Sequence, residues 1–212
     1  MIAIVDYGMG NLRSVQKGFE KVGHAAVITD DSRVIEKAQG VVLPGVGAFK
    51  DCYDGLVARG LDAPVKEAAL DGRPFLGICV GLQLLFDYGE EGAGSPGLGV
   101  LPGRVVRFAD AKNAGLKVPH MGWNRLTPVA GRNPALFEGV STAPYAYFVH
   151  SYYAEPEDDE VVLARCNYGV DFPAMVGRGN LFAVQFHPEK SQADGILMLR
   201  NFGKLTEQPA HC

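Results

Sequence analysis

The feature that most limits how this chain can fold is a change of pattern at residue 79. Phe75 to Ile78 is an unbroken apolar run, Val80 begins a helix-like stretch, and Gly77-Ile78-Cys79-Val80-Gly81 spans the junction. A short run with no polar alternation reads as a strand buried on both faces, which is where helices cover a parallel sheet. The chain opens the same way, with a strand over Ile2 to Asp6 and then Leu12, Val15, Phe19 and Val22 at helical spacing within a helix from about Asn11 to Val22. Strands are expected near Ala25 to Thr29 and Gly40 to Leu43, a helical region over about Lys50 to Leu70, and a helix from Val80. The second half reads as strands near Val100 to Phe108, Tyr145 to His150, Val161 to Asn167, Ala174 to Gly177 and Leu181 to Phe186, closed by a helix over about Gln192 to Leu205.

This alternation predicts an α/β protein, a single-domain, flavodoxin-like open mixed sheet with helices on both faces. At 212 residues and 47% hydrophobic, the chain suffices for one sizeable core, expected over residues 1–206 with 207–212 as a flexible tail. A net charge of -4 offers no general attraction to nucleic acid or anionic membrane. The longest uncharged apolar stretch, Pro74 to Phe86, falls short of the ~20 residues that span a bilayer, and Met1 to Asp6 lacks a basic leader head. A cytoplasmic location is expected. The four cysteines, at 52, 79, 166 and 212, form no Cys-x-x-Cys pair and no zinc spacing, so reduced thiols with no metal and no cofactor are expected.

Cys79 has the position of a nucleophile, on a sharp strand-to-helix turn with glycines relieving the crowding. A cysteine in an apolar run is most often a small buried hydrophobe; here other features combine with it. A free thiol is only about 3% ionised at pH 7, so a base is required. His187 ends the strand-like run Leu181 to Phe186 and is followed by Pro188-Glu189. In an extended segment residues two apart share a side, so Glu189 orients the imidazole; thiol, base and orienting acid make a covalent acyl-enzyme route possible. His150, also near a strand end, is the other candidate base. The loop Pro44-Gly45-Val46-Gly47 follows a buried strand and is a candidate oxyanion hole, through Val46 and Gly47 with the amide of Val80. The turn Asp6-Tyr7-Gly8-Met9-Gly10-Asn11 is a weak dinucleotide match lacking the third glycine; the alternative is a tight turn with Asn11 as helix cap. These residues leave open a stand-alone cysteine hydrolase of γ-glutamyl compounds and a non-catalytic flavodoxin-like module.

The run Gly77 to Leu85 with Phe186-His187-Pro188-Glu189 resembles the class I glutamine amidotransferases, whose triad is Cys, His and Glu. Pro44 to Phe49, Pro119-His120-Met121-Gly122-Trp123-Asn124, Tyr147 to Tyr152 and the opening Tyr7-Gly8-x-Gly10-Asn11 are similar to the glutaminase subunits of imidazole glycerol phosphate synthases. The resemblance implies that Cys79 attacks the side-chain amide of L-glutamine, that His187 gives a proton to departing ammonia, and that Glu189 orients His187. It implies that Gln83, Glu91 and the Ser151-Tyr152 backbone hold the amino-acid head group, with Gly45 and Gly47 nearby; a carboxylate at Glu91 also suits an α-ammonium on chemical grounds. Ammonia would pass to a partner, a (βα)8-barrel cyclase subunit, docked at Asn11, Trp123, Tyr147 and Lys190, to form imidazole glycerol phosphate and aminoimidazole carboxamide ribonucleotide in histidine biosynthesis. It further implies that the Gly45-Val46 peptide must turn its N–H toward the oxyanion before the isolated subunit becomes fully active.

Overall fold

The structure, a computed structural model, describes residues 1–108, 115–132 and 134–207. Its main sheet has eight strands among the described residues, in the order Ala26–Thr29, Ile2–Val5, Gly40–Gly45, Phe75–Cys79, Leu181–Val184, Asp171–Arg178, Val162–Asn167 and Thr127–Pro128. The first five are mutually parallel and the last three antiparallel. Every residue of the four strands from Ile2–Val5 to Leu181–Val184 is buried, whereas the edge strand Ala26–Thr29 is partly covered. That is why the central strands lack polar alternation: helices cover both faces. Helices Leu12–Lys21 and Gln192–Leu205 pack together, with Phe19 and Phe202 ring centroids 5.9 Å apart, and helices Ser32–Lys37, Phe49–Ala58 and Asp62–Leu70 form a second group.

Two smaller sheets build over the carboxyl ends of the central strands. His120–Arg125 and Tyr145–His150 form an antiparallel ribbon. Tyr152–Pro156, Leu101–Arg107, Phe86–Gly89 and Ser95–Pro96 form a four-stranded sheet.

Several expectations change. The helical region Lys50 to Leu70 is two helices, Phe49–Ala58 and Asp62–Leu70, divided at Gly60, whose φ of +64 ends the first, and at buried Leu61. The helix at Val80 stops at Gln83. A helix absent from the periodicity, Ser32–Lys37, is capped by Asp31, whose carboxylate accepts the Arg33 N–H at 2.9 Å. The strand His120–Arg125 escapes hydrophobic patterning because its pattern is inverted: His120, Gly122 and Asn124 face inward while Met121 and Trp123 are exposed. Among the described residues no helix is long and apolar enough to cross a membrane, and no group of metal-ligating side chains occurs. Cys52 and Cys166 are buried thiols, pushed up by burial to about 11 and about 12, as expected of inert cysteines. Cys212 and the tail from residue 208 lie outside the described residues.

Candidate active site

Cys79 ends the strand Phe75–Cys79 with φ 57 and ψ -111, a conformation that costs a non-glycine residue about 1–3 kcal/mol and persists only where its surroundings enforce it. Three glycines let the surroundings close in. A Cβ on Gly81 would lie 1.8 Å from the carbonyl oxygen of Leu43, one on Gly77 2.8 Å from that of Gly81, and one on Gly45 2.8 Å from the Tyr7 hydroxyl. The parallel register sets Gly45 directly opposite Cys79. The helix after Cys79 has only four residues, so its dipole has little influence on the sulfur; the strained turn itself aims the side chain.

The neighbouring strand brings in the base. Val184 lies opposite Ile78, which places Gln185 beside Cys79 and His187 just beyond the sheet. Pro188 then starts a 3-10 turn, Pro188–Lys190, so Glu189 reaches His187 by folding back, not by the extended i, i+2 geometry expected from sequence. His187 Nδ1 and Glu189 Oε1 are 2.9 Å apart, with the two side chains 2% and 0% exposed. His187 Nε2 and Glu189 Oε2 are buried with no hydrogen-bond partner. Burial lowers the basicity of the imidazole, but interaction with the thiolate form of Cys79 and with Glu189 outweighs it and holds the group at about 9. The backbone is clipped as well: His187 N–H donates to the Tyr147 carbonyl at 2.9 Å, and the Ser191 hydroxyl donates to the His187 carbonyl at 2.6 Å while accepting the Tyr147 N–H at 3.0 Å.

Cys79 and His187 line one cavity of about 290 Å³. Val46, Gly47 and Val80 line it too, as do Gln83, Glu91, Ser151 and Tyr152. Gly45 does not; it lies beneath the turn, packed against Tyr7 and Gly81. The Tyr7 hydroxyl donates to the Pro44 carbonyl at 2.7 Å and pins the start of that loop. Glu91 already holds one partner, since its Oε2 accepts the Phe49 N–H at 2.7 Å at the start of helix Phe49–Ala58.

Asn11 occupies the N-cap position of its helix but makes no cap bond; its amide instead reaches Glu189 Oε1 at 3.4 Å. The Asp6 to Asn11 segment is the tight turn of the second reading, with Gly8 and Gly10 at φ +89 and +124 and the Asp6 carboxylate accepting the Gly8 N–H. His150 lines the cavity but both its nitrogens are engaged, Nδ1 with the Tyr152 carbonyl at 2.8 Å and Nε2 with His120 at 3.0 Å, so it has no nitrogen left to act as base. Burial holds His150 down to about 3 and His120 down to about 4.

Sequence reasoning misses Gln185, which is fully buried, accepts a hydrogen bond from Gln83 Nε2 at 3.0 Å and directs its own Nε2 at the Cys79 sulfur, 3.8 Å away. The available signal is a lone amide in an apolar strand two residues before the histidine. At the other side of the site, Trp123 is 45% exposed and meets Tyr147 edge-on at 6.1 Å, with Lys190 Nζ 5.8 Å above the Tyr147 ring. Met121 and Tyr145, not anticipated, extend this exposed apolar surface.

The histidines set opposite pH responses. His120 and His150 are depressed below the ordinary histidine value of about 6.5, so their contribution to stability is present above it and is lost as pH falls from 6.5 toward 3. His187 is raised, so its contribution is complete below about 6.5 and is lost as pH rises through about 9. Urea unfolding at a series of pH values should show a maximum near neutrality, and His187→Asn should flatten the decline between 6.5 and 9. A wild-type decline that the substitution leaves intact would show that this imidazole is not charged in the folded state.

The sequence matches the family model "Glutamine amidotransferase class-I" over residues 3–204. It is 55% identical to the imidazole glycerol phosphate synthase subunit HisH of Syntrophotalea carbinolica, covering 97% of this chain and 100% of that protein. It is 53% identical to the subunit of that name from Geobacter sulfurreducens, covering 96% and 98%. Among solved structures, one described as a glutamine amidotransferase superposes with a TM-score of 0.74 at 22% identity, covering 98% of this chain and all of that one. PurLQS from Thermotoga maritima superposes with a TM-score of 0.70 at 20% identity, covering 95% and 96%; at such identities these two bear on the fold alone. With a strand-turn cysteine, a carboxylate-bound histidine and a match along nearly its whole length, this chain is an enzyme of the class I glutamine amidotransferase family.

Proposed function

We propose that this chain is the glutaminase subunit of an imidazole glycerol phosphate synthase, with Cys79, His187 and Glu189 as its triad. One observation carries the assignment of the chemistry: His187 is fixed by Glu189 through Nδ1 while Nε2 is left without a partner at the cavity that Cys79 lines. The Cys79 thiolate attacks the side-chain carbonyl carbon of L-glutamine, and the resulting oxyanion is held by backbone N–H groups of the Val46-Gly47 loop and Val80. The carbon–nitrogen bond breaks as His187 gives its Nε2 proton to the amine, releasing ammonia and leaving a glutamyl thioester. His187 then takes a proton from water, whose oxygen displaces the sulfur to give glutamate. Glu91, with one oxygen tied to Phe49, has the other for the substrate α-ammonium. Gln83 and the Ser151-Tyr152 backbone complete the head-group site.

Ammonia protonates in water, so it has to pass directly to a second active site. The exposed Met121, Trp123 and Tyr145 with the half-buried Tyr147 beside Lys190 suit an aromatic anchor of a protein interface, and its partner is the (βα)8-barrel cyclase subunit. Asn11, whose amide reaches Glu189, is the remaining docking residue of this reading. A cytoplasmic location goes with the pathway.

Trp123→Ala is expected to weaken the complex by ~30-fold or more, about 2 kcal/mol, with the melting temperature of the isolated chain nearly unchanged. Titration calorimetry measures it, and wild-type affinity would exclude Trp123 from the interface. Glutamine turnover should rise when the cyclase and its ligand are added, because the Gly45-Val46 peptide then turns its N–H toward the oxyanion. Equal rates with and without the partner dispose of that turn; no glutamate in either case disposes of the function.

A further inference from the structure

The ribbon behind the docking surface has a second face. Its register pairs Trp123 with Tyr147 outward and His120 with His150 inward. The inward histidines belong to a polar chain whose proton positions follow from its geometry. The Tyr152 carbonyl can only accept, so His150 Nδ1 carries the hydrogen and, in a neutral ring, Nε2 is a lone pair. His120 Nδ1 therefore donates to it across 3.0 Å, which leaves His120 Nε2 to accept from the Asn124 amide at 3.2 Å. The orientation of Asn124 is fixed independently, because its Oδ1 accepts the Arg125 N–H at 2.8 Å and its Nδ2 donates to the Asn167 carbonyl at 2.9 Å.

The chain continues into the site. The Tyr152 carbonyl also accepts from Gln83 Nε2 at 3.1 Å, which uses both its lone pairs, and the second Nε2 hydrogen of Gln83 goes to Gln185 Oε1. Both donors of the Gln83 amide are thus spent, so the side chain keeps only Oε1, an acceptor, on a residue that lines the cavity. Gln185 in turn has Nε2 toward the Cys79 sulfur. Aromatic rings enclose the pair: Tyr168 and Phe148 stack on His120 at 4.0 and 4.8 Å, and Phe108 and Phe172 lie 5.1 Å from His150.

We propose that His150, backed by His120, is a positioning residue for substrate specificity: the neutral histidine pair holds the Tyr152 carbonyl so that Gln83 presents Oε1, and not its amide hydrogens, to the α-ammonium of glutamine. Were the Tyr152 carbonyl to move, the Gln83 amide would lose one of its two acceptors, leaving only Gln185 Oε1 to oppose a flip that places donors against a cation. This inference rests on the glutaminase reading and adds to it a reason why the free α-amino group is required.

The test uses the chain in complex with its cyclase. His150→Phe keeps a ring in the aromatic enclosure but removes the donor. It is expected to raise KM for glutamine ~10-fold or more with a smaller change in kcat, and to narrow the preference for glutamine over glutaric acid monoamide, which lacks the α-amino group. His150→Asn, whose amide nitrogen can stand near the place of Nδ1, should recover most of the loss. Unchanged KM and preference in folded His150→Phe would overturn the proposal, as would a fall in kcat alone that asparagine does not rescue. Nitrogen-15 spectra of the wild-type histidines provide a check independent of any variant's folding: both rings should be neutral with the proton on Nδ1, and an Nε2-protonated His150 would overturn the proposal. Wild-type complex that releases no glutamate would instead count against the glutaminase reading, whichever tautomers the spectra show.

Discussion

Cys79→Ala should lower glutamine hydrolysis by ~10⁴-fold or more, while the complex continues to make its product from added ammonium salt at close to the wild-type rate. The sulfur is the only group in the cavity that the mechanism uses to form a covalent bond, and neither His187 nor the oxyanion donors can replace it. Alanine keeps the Cβ that the turn already accommodates, so the strain at φ 57 and the packing around it are retained. Glutamate release and ammonium-dependent synthesis, assayed on the same preparation, separate the two roles. Loss of both activities would make Cys79 a structural residue and remove the basis for the triad.

Gly81→Ala is expected to have the largest effect on stability, a loss of ~3 kcal/mol or more, which for a chain of this size lowers the melting temperature by roughly 6–12 °C. The added Cβ would lie 1.8 Å from the Leu43 carbonyl oxygen, and that atom belongs to the backbone of the fully buried strand Gly40–Gly45, so no rotamer change relieves the clash. Either the turn withdraws and Cys79 leaves the cavity, or the strand shifts and loses its pairing with Phe75–Cys79. Gly23→Ala serves as comparison. There φ is +87 with nothing within 4 Å of the new Cβ, so only the backbone cost of about 1 kcal/mol applies. Urea denaturation of the two variants measures the difference; a loss at Gly81 no larger than at Gly23 would mean that the turn is not packed as tightly as the structure shows.

Where a segment's role is written in consecutive residues, it was legible. The apolar run into Cys79 declares a buried strand and a sharp turn, and both glycines around the cysteine prove necessary. Helix Gln192–Leu205 and strand Tyr145–His150 follow from periodicity with their boundaries intact. The break near Gly60 went unrecognised because apolar residues continue on either side of it, while His120–Arg125 conceals its strand by facing polar groups inward and aromatics outward. Glu189 meets His187 by another geometry than the extended one that the spacing predicts, since Pro188 begins a turn instead of prolonging a strand.

Other properties depend on distant partners. Asn11 has the residue type of a helix cap, yet its amide is drawn to Glu189, 178 positions away in sequence. His150 stands at a strand end like His187, and only the hydrogen bonds to Tyr152 and His120 show that neither of its nitrogens is available. Gln185 carries no motif of its own; the parallel register of Leu181–Val184 against Phe75–Cys79 sets it beside the sulfur.

The amino-acid order by itself determined the layered α/β plan and the strained cysteine turn, and it singled out Cys79, His187 and Glu189 as candidates with His150 still beside them, because periodicity, glycine placement and residue chemistry are local properties. Tertiary structure alone decided which histidine has a nitrogen to spare, which carboxylate oxygen is already taken and which way the buried amides face. Those are matters of hydrogen-bond satisfaction among groups brought together by strand register, and a buried donor or acceptor is fixed by its neighbours in space, not by its neighbours in the chain.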